Sequence, residues 1–188
     1  VASGNTLTTS GAYVLSGNAE KSANTVELVL KEGAGYVMTA VTTEGEQDQA
    51  RLKLAAGENA SVTLNRNELT LLDGSVFGKD AKVLDGKPSG TDWSKSTVIA
   101  EGAVTMQSAG STLAASNVDW TVADGGSYVM EGDAFTLAGI SSANKTSAET
   151  GGTIVLNTNA EVGDLSDFVG TISVDDDRTV SFDLAESA

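Results

Sequence analysis

Short runs in which apolar and polar residues alternate, each closed within a few positions by Gly, Asn or Asp, recur along the whole chain. This rhythm constrains the fold more than any single motif. Val26, Leu28 and Leu30 alternate with Glu27, Val29 and Lys31, and Val62 and Leu64 with Ser61, Thr63 and Asn65. Val118/Trp120/Val122, Phe135/Leu137, Ile154/Leu156, Ile172/Val174 and Val180/Phe182/Leu184 continue the pattern. A period of two with hydroxyl and acidic residues on the off-beats is that of a half-buried strand. Turn signals follow at once: Lys31-Glu32-Gly33, Asp73-Gly74, Asp85-Gly86, Asp124-Gly125-Gly126 and Glu131-Gly132. The chain is therefore predicted to be all-β. A stretch of helical composition, Glu44–Ala56, contains Arg51-Leu52-Lys53-Leu54, which also alternates, and reads as a loop entering a strand.

Some runs repeat. Tyr13-Val14-Leu15-Ser16-Gly17, Tyr36-Val37-Met38-Thr39-Ala40 and Tyr128-Val129-Met130-Glu131-Gly132 are near copies, with Lys82-Val83-Leu84-Asp85-Gly86 a weaker fourth. Their starts at 13, 36, 82 and 128 are separated by 23, 46 and 46 residues, all multiples of 23. A constant interval between equivalent strands suits a coil, whereas stacked sheets have no need of it. The prediction is a parallel β-helix (β-solenoid) with ~23-residue rungs, its Tyr-headed strands stacked on one face about 4.8 Å apart per rung. About eight such rungs would make a rod of roughly 40 Å. A β-sandwich or jelly roll, which also turns about every eight to twelve residues, is the alternative. Residues 1–188 read as one β-rich domain. Alternation weakens between Gly74 and Ser96, where Lys79, Lys82, Lys87, Lys95 and the only proline, Pro88, fall; 74–96 is expected to be an irregular excursion.

Composition removes most chemistries. With no Cys and no His there is no thiol nucleophile, no catalytic imidazole, no disulfide and almost no route to a zinc site. Against 26 Asp+Glu stand 11 Lys+Arg, and a formal charge of -15 repels phosphate backbones, so no nucleic-acid partner is expected. The excess is uneven: residues 1–95 hold nine basic and twelve acidic side chains, residues 96–188 two and fourteen. No run of about 18 apolar residues is present, so no membrane insertion by a spanning helix is expected. The chain opens Val1-Ala2-Ser3-Gly4, without a basic, apolar leader, as a processed or excised chain would.

The stretch Gly151-Gly152-Thr153-Ile154-Val155-Leu156-Asn157, followed by Leu165-Ser166-Asp167-Phe168-Val169-Gly170-Thr171-Ile172-Ser173-Val174, resembles the degenerate Phe-x-Gly-Thr-Ile repeats of bacterial autotransporter-type passengers and related surface adhesins. The resemblance is compositional over the whole chain and motif-like over about 40 residues. It implies a parallel β-helix displayed extracellularly, on a bacterial cell surface, with no catalytic residue to carry over.

Carboxylates carry what site chemistry remains. Asp175-Asp176-Asp177 before Arg178 is the sharpest cluster; on a strand Asp175 and Asp177 would share a face, and paired carboxylates serve glycosidic cleavage or Ca²⁺. Asp164 and Asp167 could join such a cation site. The plainer reading of both groups is polar turns, with no cofactor beyond a possible Ca²⁺. Trp93, beside the lysine-bearing segment, is a candidate for stacking on a sugar; Trp120, between Val118 and Val122, reads as core. The three tyrosines head strands and are expected to cover corners with the phenol at the surface.

Together these features favour a non-enzymatic extracellular structural or adhesive protein presenting a rigid acidic rod, with a glycan or other cell-surface partner. A self-assembling filament, surface-layer or virion decoration or fibre subunit is the alternative, since solenoid ends expose unpaired backbone. A polysaccharide-degrading β-helix enzyme resting on the aspartates is a second.

Overall fold

The computed structural model describes residues 6–9, 27–39, 47–86, 95–107, 118–132, 135–142 and 151–182. Among these residues the chain forms seventeen strands and no helix. The first nine are β1 (Thr6–Thr9), β2 (Glu27–Leu30), β3 (Gly35–Met38), β4 (Gln49–Ala56), β5 (Ser61–Thr63), β6 (Glu68–Leu71), β7 (Ser75–Phe77), β8 (Lys82–Leu84) and β9 (Ser96–Ala100). The rest are β10 (Ala103–Met106), β11 (Val118–Val122), β12 (Ser127–Met130), β13 (Phe135–Ser142), β14 (Gly152–Leu156), β15 (Ala160–Asp164), β16 (Gly170–Val174) and β17 (Val180–Phe182).

Among the described residues every pairing is parallel, and none joins strands adjacent in sequence. That pattern excludes the antiparallel sandwich and is the signature of a coil, since a parallel neighbour is reached only by a full crossover. Three sides follow. The first stacks the start of β4 with β6, β9, β11 and the end of β13. The second stacks β2, the end of β4, β7, β10, β12, β14 and β16. The third holds β1, β3, β5 and β8, and later in the chain the start of β13 with β15 and β17. The chain is a β-solenoid.

Five successive coils place a strand on both the first and the second side, with partial coils before and after them. On the first side the register runs Ala50, Leu69, Val98, Trp120, Ile140, steps of 19, 29, 22 and 20 residues. The mean is close to the 23 expected, but the pitch is not constant. The tyrosine repeat was also the wrong marker. Tyr36 lies on the third side, opposite Leu7 and Val62, whereas Tyr128 lies on the second, between Val104 and Ile154. Lys82 pairs with Ser61, one position out of phase with Tyr36, and Tyr13 lies outside the described residues. Nor are the phenols at the surface: Tyr36 and Tyr128 are both buried in the coil.

The interior is a set of columns. On the second side Leu30, Ala56, Phe77, Met106, Met130 and Leu156 lie over one another, all buried, and Val174 ends the column 41% exposed. Leu52, Leu71, Ala100 and Val122 form a matching column on the first side. Bulk is shared within each coil. Trp120 and Tyr128 belong to one coil and meet edge to face, with ring centroids 5.9 Å apart at 78°. The Tyr128 hydroxyl donates to Val98 O and Thr121 O, and burial pushes its ionisation far above the ordinary range.

Corners between the second and third sides are built alike. Lys31-Glu32-Gly33-Ala34, Gly57-Glu58-Asn59-Ala60 and Gly78-Lys79-Asp80-Ala81 each close with the fourth N–H donating to the first carbonyl, at 2.9, 3.1 and 3.1 Å. The third residue has positive φ (65, 56 and 54°), the sign pattern of a type II turn, which Gly tolerates best and Asn and Asp better than other residues. The alanine after it is fully buried, because a larger side chain would not fit inside so tight a bend. The expected excursion at 74–96 is narrower than anticipated: 75–77 and 82–84 are regular strands, so the surplus falls between Leu84 and Ser96.

Parity along a strand therefore decides the cost of a substitution. Phe77→Ala, in the interior column, is expected to lose about 3–5 kcal/mol. Val76→Ala, on the outside of the same strand, should stay within about 0.5 kcal/mol. Equilibrium denaturant unfolding of the two variants checks the assignment.

Candidate functional site

Each carboxylate singled out from sequence can now be placed. Asp175, Asp176 and Asp177 occupy an exposed turn between β16 and β17, not a strand face. Arg178 N donates to Asp175 O at 3.0 Å, Asp176 N to Asp175 Oδ1 at 3.0 Å, and Arg178 Nε lies 3.9 Å from Asp175 Oδ2. Asp175 thus spends its carboxylate on its own turn. Asp164 ends β15 in register with Gly139, and Asp167 sits in the exposed turn that follows, its carbonyl accepting from Ser142 N. Among the described residues no three acidic groups converge on a point that could hold a metal ion. Trp93 lies outside the described residues. Trp120 is core, as its alternation implied.

Charge on the outer surface is concentrated in particular coils. On the first side Arg51 donates through Nε to Glu101 Oε2, at the following corner, at 2.7 Å and through a terminal nitrogen to Oε1, and Lys95 Nζ meets Asp119 Oδ1 at 3.2 Å, whereas Thr70, Thr97 and Ile99 are uncharged. On the second side Lys53 Nζ lies 3.3 Å from Glu27 Oε1. The Arg51 hydrogen bonds hold the Glu101 carboxyl below its ordinary range and raise the guanidinium above its own, while partial burial pushes Glu68 up. Outward positions of the second side, from β10 onward, carry no charge: Ala103, Thr105, Ser127, Val129, Thr153, Val155, Thr171 and Ser173 stand in two in-register columns. Acidic residues mark the corner leading into this face, Asp73, Glu101 and Asp124, and Glu131 and Asp175 follow it.

One polar cluster is buried, and sequence reading missed it. Between the third and first sides, Asn65 and Arg66 both have positive φ (52 and 73°) within a turn closed by Asn67 N donating to Leu64 O. Two positive φ values in succession are the type I′ pattern, unusual for arginine. The side chain explains its presence: Arg66 Nε lies 3.8 Å from Asp85 Oδ2, both groups over nine-tenths buried. Asp85 Oδ1 accepts from Ser96 Oγ at 2.5 Å, and Ser96 Oγ in turn accepts from Arg66 N at 2.9 Å. Asn65 Nδ2 and Asn67 Nδ2 donate to Met38 O and Thr39 O of the coil before. The Asn-Arg-Asn tripeptide is the signal that could have located this corner, since such residues accept left-handed backbone and bond to it.

Compared with known proteins, the chain matches no protein-family model, no curated sequence and no solved structure.

Two measurements follow from these polar groups. Asp85→Ala removes the carboxylate beside a buried guanidinium and should cost about 3–5 kcal/mol. Adding Arg66→Gly should recover part of it, because glycine removes both the buried charge and the strain of φ 73°; denaturant midpoints of the single and double variants test this. For Glu101, a depressed carboxylate stabilises the fold above its unfolded pKa of about 4.3 and loses that contribution as pH falls through the folded value. The melting-temperature advantage of the parent over Glu101→Gln should be largest near neutral pH and vanish in acid.

Proposed function

We propose that the protein is a non-enzymatic extracellular rod that works through its outer surface, as a structural or adhesive module of the cell surface. The observation that carries this reading is the division between inside and outside. Interior columns are filled by Leu, Val, Met, Phe and Tyr packed coil on coil, so ligand chemistry is left to the exterior. Of the exterior surfaces, the second side from β10 onward offers the most regular one: uncharged, and lined by small hydroxyl and methyl groups between acidic corners. In-register parallel strands repeat such groups about every 4.8 Å, which suits a partner that is itself flat or repetitive, such as a cell-surface glycan. The acidic excess keeps neighbouring rods apart and in solution.

A direct test places single lysines on that face. Thr105→Lys and Val129→Lys should abolish retention on immobilised glycans and envelope preparations that hold the parent, while leaving the melting temperature within about 2 °C. Retention that survives both, or release of reducing ends from a polysaccharide that is lost in Asp175→Asn or Asp177→Asn, would replace this reading with a different surface or with the hydrolase.

A further inference from the structure

The buried corner also hides a discontinuity in the chain. Three consecutive residues of one coil bond to the next: Asn65 N donates to Asp85 O at 2.6 Å, Arg66 N to Ser96 Oγ at 2.9 Å, and Asn67 O accepts from Thr97 N at 3.0 Å. Along the lower coil these residues are neighbours. Along the upper coil Asp85 and Ser96 are separated by residues 86–95, yet no step of the ladder is missing. Ser96 Oγ donates to Asp85 Oδ1 at 2.5 Å and so ties the two sides of the gap together directly. Gly86 has φ 65°, and a Cβ there would stand 2.0 Å from Asn65 Oδ1, so any side chain would have to displace the Asn65 amide and accept a left-handed backbone. The register agrees: the step from Leu69 to Val98 is 29 residues, against 19 before it and 22 after.

We infer that the coil closes directly from Asp85 to Ser96, and that this closure makes the position an insertion point at which the rod accepts chain of variable length and sequence. The coils on either side keep phase because Asp85 O, Ser96 Oγ and Thr97 N each bond to the coil before. Lengthening a loop whose ends are already held together costs little, as closure entropy grows only with the logarithm of length. The inference rests on the coil geometry and stands or falls apart from the adhesive reading.

The experiment compares three chains: the parent, one with residues 87–94 replaced by Gly-Gly, and one with about twelve Gly/Ser residues inserted between Ser89 and Gly90. Both altered chains should keep the parent's β circular dichroism and melt within about 2–4 °C of it. The same insertion between Glu58 and Asn59, in a corner held by its turn bond with no side-chain tie across it, should lower the midpoint by about 10 °C or more. Ser96→Ala should cost more in the lengthened chain than in the shortened one, where the short tether holds the neck by itself. Loss of cooperative melting in either altered chain, equal tolerance at Glu58, or an equal Ser96→Ala effect in both backgrounds would overturn the inference.

Discussion

Main-chain hydrogen bonding from each coil to the next is the interaction on which this fold depends, and it does not stop where the strands stop. At the corners Gly33 N donates to Glu58 O and Asn59 N to Lys79 O, while Gly57 N donates to Leu30 O and Gly78 N to Ala56 O. A bend that kept its own turn bond but dropped these would leave buried amides unpaired and break the stack at each rung. The positive φ values at Gly33, Asn59 and Asp80 serve this continuity. They turn the chain sharply while leaving its N–H groups pointed along the axis.

Continuity along the axis sets what the interior can hold. Each inward residue lies over its counterpart in the neighbouring coil, so a side chain must fit both its own cross-section and its column. Trp120 and Tyr128 share one coil, and smaller residues take the equivalent places above and below: Val98 and Ile140 in one column, Val104 and Ile154 in the other. The Tyr128 hydroxyl, buried by this arrangement, finds its acceptors in carbonyls of the first side. Stability in such a stack is a sum of neighbouring-coil terms, with no single centre.

Strand class and parity were legible in the sequence because an alternating run can bury only one face: Val118, Trp120 and Val122 are inside as their spacing demands. The solenoid was legible too, but from a repeat that does not mark equivalent positions. Tyr36 and Tyr128 sit on different sides, and their shared phase reflects a common strand grammar of a large residue followed by Val-Met. The repeat that does mark position is humbler: a left-handed Gly, Asn or Asp followed by a buried alanine, at Ala34, Ala60 and Ala81. It escapes notice because three residue types serve one dihedral requirement and because its spacing of 26 and 21 residues is uneven. Unevenness is intrinsic to a coil, since corners absorb extra residues without disturbing the register of the strands between them. The aspartate cluster is the polar turn that its plainer reading named. Three consecutive acids before Arg178 would pair across a strand face only if the chain did not turn there, and it turns.

Inward positions of this protein are determined twice over, by column and by cross-section, and its corner residues by dihedral sign. Outward positions answer only to strand geometry. Sequence can therefore vary freely in few places without disturbing the coil, the outward columns above all. The uncharged columns of the second side from β10 onward share that sheet with the Glu27–Lys53 pair of its first coils. Neither the pleat nor the pairing therefore excludes charge from an outward position. The coil fixes where such a residue stands and leaves its chemistry free to differ from one coil to the next.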